Sequence, residues 1–147
     1  MTDWIELSSQ PLSTAAVAAF IADPAAGGIN LFLGTTRSEA SPDGKHLLAL
    51  DYEAYDAMAV GQMQNLATRA RERWPILKLA LLHRTGRVAV GEPSVVIGVS
   101  TPHRAESFEA CRWLIDTLKK EVAVWKKEVW TDGSTSWVSG TQVRHDP

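Results

Sequence analysis

Two pairs of lysines lie close together in an otherwise apolar stretch near the end of the chain. Lys119 and Lys120 close one segment, and Lys126 and Lys127 lie within VWKKEVW, residues 124–130. An amine that is kept from water holds its proton less firmly, so it can act as a nucleophile or as a general acid or base. These lysines are therefore the first candidates for chemistry.

The position of Lys119 on a predicted helix strengthens this hypothesis. A residue turns about 100° in an α-helix, and this rotation predicts a buried stripe made of Phe108, Cys111, Ile115 and Val122. Lys119 falls inside this stripe, about 20° from Phe108, whereas Lys120 lies about 120° away. The alternative is that Lys119 lies at the edge of the stripe and extends its amine into water.

A second group of residues is suited to binding an anion. In TPHR, residues 101–104, a helix that begins at Pro102 would place His103 and Arg104 in its first turn, where free N–H groups attract anions. The guanidinium fork suits phosphate or carboxylate. Arg37 ends the strand-like segment FLGTTR and is a third cation. The alternative is a solvated arginine beside a histidine that a neighbouring carbonyl satisfies.

The elements that position these residues follow from periodicity and turn signals. The predicted helices cover 11–24, 56–74 and 101–122, and the predicted strands cover 27–37, 47–55, 94–100 and a hairpin over 76–92. From residue 47 the order is a split βαβ pattern. It predicts one α+β domain over residues 1–147, an antiparallel sheet with helices on one face, and a C-terminal hairpin turning at TDGS.

Composition excludes several other classes of protein. The chain has 147 residues, 45% hydrophobic and 22% charged, and a net charge of −2. We therefore expect no nucleic-acid partner. No segment approaches the length of a membrane span and no signal peptide is evident, which predicts a cytoplasmic protein. Cys111 is the single cysteine, and no His/Asp/Glu set has ligand spacing, so neither a metal nor a cofactor is expected.

Several segments together resemble the catalytic (large) subunit of molybdopterin synthase: FLGTTR, LDYEAYDAMA, HRTGRVAVGE, VSTPHRAESFEACRWLIDTLKKEVAVWKKE and DGSTSWV. The similarity extends from Gly27 to Val138. It implies an α/β hammerhead fold and a sulfur transferase of molybdenum cofactor biosynthesis that converts cyclic pyranopterin monophosphate into molybdopterin. The implied sulfur donor is the C-terminal thiocarboxylate of a small ubiquitin-like subunit ending in Gly-Gly. The implied assembly is a central homodimer with a small subunit at each end, a heterotetramer.

The resemblance also implies roles for individual residues. Lys119 and Lys126 become the pocket lysines, which shuttle protons, stabilise an oxyanion or attack the acyl carbon. The substrate's phosphate and pterin contacts are implied for Arg37, His103 and Arg104, and the pocket walls for Phe32 and Trp125. Core packing explains the two aromatic residues equally well.

One departure from the family pattern concerns the end of the chain. Family members often carry an arginine shortly after the tryptophan that matches Trp137, and this arginine reaches the neighbouring protomer; here Arg144 is nearest but out of register. Two other classes of function also fit a split βαβ domain. They are a small acyl-phosphate hydrolase, which needs no protein partner, and a ferredoxin-like module that binds RNA or a metabolite.

Overall fold

The structure, a computed structural model, describes residues 3–138. Its elements are β1 (Trp4–Ser8), α1 (Thr14–Ile21), β2 (Gly28–Thr35), β3 (Leu47–Ala54), α2 (Asp56–Arg73), β4 (Lys78–Arg84), β5 (Gly86–Ala89), β6 (Pro93–Thr101), α3 (Arg104–Glu121), β7 (Val124–Trp130) and β8 (Thr135–Trp137). The three predicted helices are therefore present with shorter bounds. Ser13 caps α1 by accepting a hydrogen bond from the N–H of Ala16.

Four strands form the first sheet, in the order β1-β4-β6-β2. The pair β1–β4 is parallel, and the other two pairs are antiparallel. β6 is buried along nearly its whole length because helices cover both faces of the sheet. The α2 and α3 helices form the larger core with Leu79, Leu81 and Ile97.

The α+β class is confirmed, but the prediction that all helices pack on one face is wrong for α1. Val17 and Ile21 of α1 pack on Ala80, Leu82 and Val96, which point away from the larger core. The physical reason is that β6 has apolar side chains on both faces, so each face needs a cover. No described helix is long and apolar enough to cross a membrane.

The second sheet is antiparallel and has the order β5-β3-β7-β8. The predicted hairpin over 76–92 is wrong, because β4 belongs to the first sheet and β5 to the second. Thr85 alone separates these strands, whereas a tight hairpin needs two turn residues. The split βαβ order is consequently divided between two sheets, with β3 and β7 paired in the second.

The C-terminal hairpin is confirmed. Strands β7 and β8 pair antiparallel, with Lys127 opposite Trp137 and Val129 opposite Thr135. Gly133, with φ of 88°, supplies the left-handed conformation that the turn requires. Strands β3 and β7 belong to the side of the second sheet that faces α3. The candidate site lies between this sheet and α3.

Candidate active site

The alternation of β7 explains why VWKKEVW carries two adjacent lysines. Successive side chains of a strand point to opposite faces. Lys126 lines a cavity beneath the second sheet. Lys127 points the other way, where its Nζ lies 5.3 Å from the centre of the Trp137 ring. The two lysines therefore occupy different environments, and only Lys126 belongs to the site.

Lys119 reaches the same cavity from α3. It lies half-buried on the flank of the buried stripe, one turn beyond Ile115, whereas Lys120 is exposed. The predicted stripe needs one correction, since Phe108 is 61% exposed although it was expected to be buried. Phe108 lies near the start of α3 beside the edge strand β2, where no other element of residues 3–138 covers it. The described chain thus brings two lysines from different elements to one cavity.

The site has a narrow inner chamber and a wider outer groove. The inner chamber has a volume of about 80 Å³, and the outer groove of about 390 Å³. Both are lined by Arg37, Ile115 and Lys119, which lie where the two spaces meet. Phe32 lines the outer groove, and its role in binding the substrate stays a prediction.

Polar side chains that the sequence analysis missed line the inner chamber. They are Thr36, Tyr52, His83 and Ser94. Tyr52 is the cross-strand partner of Lys126 in the β3–β7 pair, so both side chains lie on one face of the sheet. Ser94 donates a hydrogen bond to the carbonyl of Gly34, at 3.3 Å. Among residues 3–138, Thr36 Oγ1 is a buried oxygen with no hydrogen-bond partner.

His83 is the most buried titratable group of this site. Burial lowers its pKa to about 4, and the positive charges of Lys119 and Lys126 act in the same direction. The sequence analysis assigned His83 to a turn, and its Nδ1 does lie 2.8 Å from the carbonyl of Arg84. The sequence did contain a signal for this burial. His83 follows Leu79 and Leu81 at every second position of the strand, so it points to the same buried face as these leucines.

The chamber is rich in positive charge. Arg37, Lys119 and Lys126 line it, and Glu39 is the carboxylate among its lining residues. The Arg37 guanidinium lies 3.3 Å from Glu39, but both side chains are well exposed, so this pair holds Arg37 weakly. A site with this balance favours an anionic ligand. The described residues contain no group of three or more His, Cys, Asp or Glu side chains that could hold a metal.

His103 and Arg104 do not join this cavity within one protomer. They lie at the N-terminal end of α3, and Lys119 comes 15 positions after Arg104 on this helix. At 1.5 Å per residue, about 22 Å of helix lies between them. Gly28 fixes this end of the helix against β2, because an added Cβ would come within 2.6 Å of the Arg104 Cα.

The structure corrects the placement of Trp125. It points away from Lys126 and packs on Tyr55, with ring centres 4.8 Å apart. Within residues 3–138, the lining of the chamber and the groove does not include Trp125. Arg144 lies outside the described residues. Cys111 is buried, and burial raises its pKa to about 11, so its thiol is unsuited to nucleophilic attack.

Comparison with known proteins decides the family. The family model described as MoaE protein matches residues 7–121, which is most of the chain. The chain belongs to the MoaE family. Its curated relatives include the molybdopterin synthase catalytic subunit of Homo sapiens, 41% identical over 133 residues that cover 90% of this chain and 70% of the relative. The subunit from Taeniopygia guttata is 44% identical, with 92% and 86% covered.

Solved structures of the MoaE family confirm the fold. The molybdopterin synthase of Staphylococcus aureus has a TM-score of 0.86 and 28% identity, and the match covers 95% of this chain and 99% of that one. The fold also matches a protein–protein complex of subunits 1 and 2 of molybdopterin-converting factor from Helicobacter pylori, with a TM-score of 0.75 and 16% identity over 92% and 91% of the chains.

The family fixes the class of enzyme. The chain is a molybdopterin synthase of molybdenum cofactor biosynthesis, a transferase, and neither an acyl-phosphate hydrolase nor an RNA-binding module. The cavity that Lys119 and Lys126 share is therefore the candidate active site of a MoaE enzyme.

Proposed function

We propose that the chain transfers sulfur to cyclic pyranopterin monophosphate and takes it from the C-terminal thiocarboxylate of a small ubiquitin-like subunit. The observation that carries this proposal is the convergence of Lys119 and Lys126 on one narrow chamber that adjoins a wider groove. The Helicobacter pylori complex of two subunits supports a protein partner for this fold.

The two spaces suit two different ligands. The inner chamber, of about 80 Å³, admits a chain end without side chains, as in a Gly-Gly tail. The outer groove, of about 390 Å³, has the apolar wall of Phe32 and Leu33 for a ring system and the Arg37 guanidinium for a phosphate. Lys119 borders both spaces, so its amine lies where the sulfur donor and the acceptor would meet.

The lysines would act on charge that develops during transfer. As an acyl carbon in the chamber becomes tetrahedral, its oxygen becomes an anion, and an ammonium group held nearby stabilises it. A lysine amine also moves a proton to or from the reacting sulfur when it lies within hydrogen-bonding reach. Lys119 is the better candidate for both roles because it borders both the chamber and the groove. Lys126 lines the chamber but not the groove.

We also propose that His103 and Arg104 reach the substrate of a second copy in a homodimer. The length of α3 keeps them from the pocket of their own protomer. Beside them the edge strand β2 and the start of α3 expose two apolar side chains, Ile29 at 52% and Phe108 at 61%. An exposed apolar edge of this kind favours association with another copy.

A mixing experiment tests this arrangement. Lys119→Ala and Arg104→Ala homodimers should each be nearly inactive in molybdopterin formation. Unfolding and refolding the two variants together should restore activity, because one site of a mixed dimer then contains both intact groups. Arg112→Ala is a matched control on α3, since its exposed side chain pairs with Asp116 one turn further along the same helix. Mixtures that stay inactive would contradict a shared site.

The proposed reaction itself is tested by reconstitution. The chain is combined with the small subunit and cyclic pyranopterin monophosphate, and molybdopterin is measured. The matched control is the same subunit with an ordinary C-terminal carboxylate, which has the same shape but no sulfur to give. Product with the thiocarboxylate alone supports the proposal. Equal product with both forms, or product with neither, would reject it.

A further inference from the structure

The Ala89–Glu92 turn connects β5 of the second sheet to β6 of the first. The N–H of Glu92 donates a hydrogen bond to the carbonyl of Ala89, at 3.0 Å, which closes a β-turn. Gly91 has φ of 89°, a left-handed conformation that glycine adopts without strain. Side chains from both sheets line the chamber, so this turn joins two of its walls.

The Glu92 side chain folds back and fixes the shape of this turn. Its Oε1 accepts hydrogen bonds from the N–H of Ala89, at 2.9 Å, and from the guanidinium of Arg84, at 3.3 Å. The Arg84 side chain is only 12% exposed, so it brings a nearly buried positive charge to this carboxylate. The hydrogen bond from Ala89 is the largest cause of a lowered pKa for the Glu92 carboxyl, which is therefore ionised at neutral pH. One carboxylate thus ties the turn to the end of β4.

The same turn holds the backbone immediately before Arg37. Strand β2 ends at Thr35, so Thr36 and Arg37 lie beyond the regular ladder. The N–H of Thr36 donates to the carbonyl of Glu92 at 3.1 Å, and the N–H of Gly91 donates to the carbonyl of Thr36 at 2.7 Å. Both backbone groups of Thr36 are therefore held by the turn, which fixes where the chain continues into Arg37.

Arg37 depends on this backbone for its place in the site. Its guanidinium lies 3.3 Å from Glu39, but these side chains are 58% and 40% exposed, and an exposed pair of this kind restrains a side chain weakly. Arg37 lines both the chamber and the groove. The position of its backbone consequently decides which part of the two spaces the guanidinium reaches.

We propose that Glu92 is a positioning residue, which holds Arg37 at the junction of the chamber and the groove through the Ala89–Glu92 turn and the backbone of Thr36. Among residues 3–138, the lining of neither space includes Glu92, so it acts on the substrate through Arg37. This inference rests on the function proposed above, in which Arg37 binds the phosphate of the pterin. Loss of the Glu92 carboxylate should loosen the turn and let the guanidinium move away from this phosphate.

Steady-state kinetics of Glu92 variants test this role. Glu92→Ala removes the acceptor for the Ala89 N–H, whereas Glu92→Gln retains an amide oxygen that can accept the same hydrogen bonds. We expect Glu92→Ala to raise KM for cyclic pyranopterin monophosphate about 10-fold with little change in kcat, because a displaced guanidinium loses part of a charge-assisted hydrogen bond. Glu92→Gln should restore most of the affinity. Asp51→Ala is the matched control, since it breaks the ion pair with Arg87 of β5 and leaves the turn in place.

A double-mutant cycle shows whether Glu92 acts through Arg37. In the Arg37→Ala background, Glu92→Ala should add no further increase in KM, because no guanidinium is left to position. Additive increases, or a wild-type KM in Glu92→Ala, would overturn the proposal.

Thermal unfolding separates positioning from stability. Glu92→Ala and Glu92→Gln both leave the nearly buried Arg84 guanidinium without this counter-charge, so both should unfold at a lower temperature. A residue with only a structural role would then raise KM equally in both variants, and that result would overturn the proposal. If Glu92→Ala does not fold, Gly91→Ala disturbs the same turn, because φ of 89° strains a residue with a Cβ. It should also raise KM, and a wild-type KM would count against the proposal.

Amide hydrogen exchange, followed by NMR, is a measurement independent of sulfur transfer. The Thr36 N–H should exchange about 10-fold faster in Glu92→Ala than in the wild type, because its acceptor carbonyl belongs to the loosened turn. The Trp130 N–H, which donates to the Ser134 carbonyl at 2.9 Å in the β7–β8 turn, is the internal control and should not change. Unchanged exchange at Thr36 would reject the link even if the wild type proves to be an active synthase. If this exchange rises and the wild type makes no molybdopterin, the proposed function fails and the link stands.

Discussion

The buried histidine makes a quantitative prediction about stability and pH. In the folded chain the pKa of His83 is lowered to about 4 from the 6.5 of a free histidine, and the largest cause is burial. As the pH falls below 6.5, the unfolded chain takes up a proton at this residue and the folded chain does not. The unfolded state is thereby favoured, so the free energy of unfolding decreases as the pH falls from 6.5 to 4.

The size of this effect follows from the shift. One pKa unit corresponds to about 1.4 kcal/mol, so His83 should account for roughly 3 kcal/mol of lost stability between pH 7.5 and pH 4. His83→Phe has no group that titrates at this position. The variant should therefore lose roughly 3 kcal/mol less than the wild type over the same interval, whatever its stability at pH 7.5.

Urea denaturation at several pH values between 7.5 and 4 measures this difference. The carboxylates of the chain titrate in both proteins, so subtracting the two curves isolates His83. His46→Phe is the matched control substitution, since His46 is exposed and lies outside the chamber. Parallel curves for the wild type and His83→Phe would refute the assignment of a buried neutral imidazole.

Two further predictions concern the core. Gly98→Ala should lower the free energy of unfolding, measured by urea denaturation, by about 1–3 kcal/mol. The reason is that the new Cβ would lie 2.8 Å from the Val17 Cγ1 and 2.9 Å from the Ile21 Cδ1. Unchanged stability would mean that α1 does not pack closely on β6. Cys111 should resist a thiol reagent in the folded protein at pH 8 and react fully in denaturant, since burial raises the pKa of its thiol to about 11, whereas rapid labelling of the native protein would contradict its burial.

Local periodicity predicted the parts of the fold that depend on neighbouring residues. The three helices and the β7–β8 hairpin follow from apolar spacing, caps and the TDGS turn. The hairpin over 76–92 was wrong because pairing between distant strands decides which sheet a strand joins. β5 pairs with β3, about 36 residues earlier, and no pattern within 76–92 contains that information.

The candidate site was predictable in part. Lys119 and Arg37 could be found from a helical stripe and a strand end, and both line the chamber. Strand alternation alone was sufficient to separate Trp125 from Lys126, because adjacent residues of a strand face opposite sides. His83 was missed because a histidine beside a predicted turn indicates a capping role. Its place in the chamber depends on the second sheet, which the sequence pattern did not predict.

Sulfur transfer by two neighbouring lysine variants tests the central claim most directly. Lys119→Ala and Lys120→Ala are compared in molybdopterin formation with the thiocarboxylated small subunit, after circular dichroism has established that both are folded. Lys119 lines the chamber and Lys120 is exposed. We expect Lys119→Ala to lose activity on the order of 100-fold or more, as for a lost proton carrier or oxyanion partner, and Lys120→Ala to remain near wild type. Near-normal product formation by folded Lys119→Ala, or an equal loss in both variants, would contradict a catalytic chamber built around Lys119.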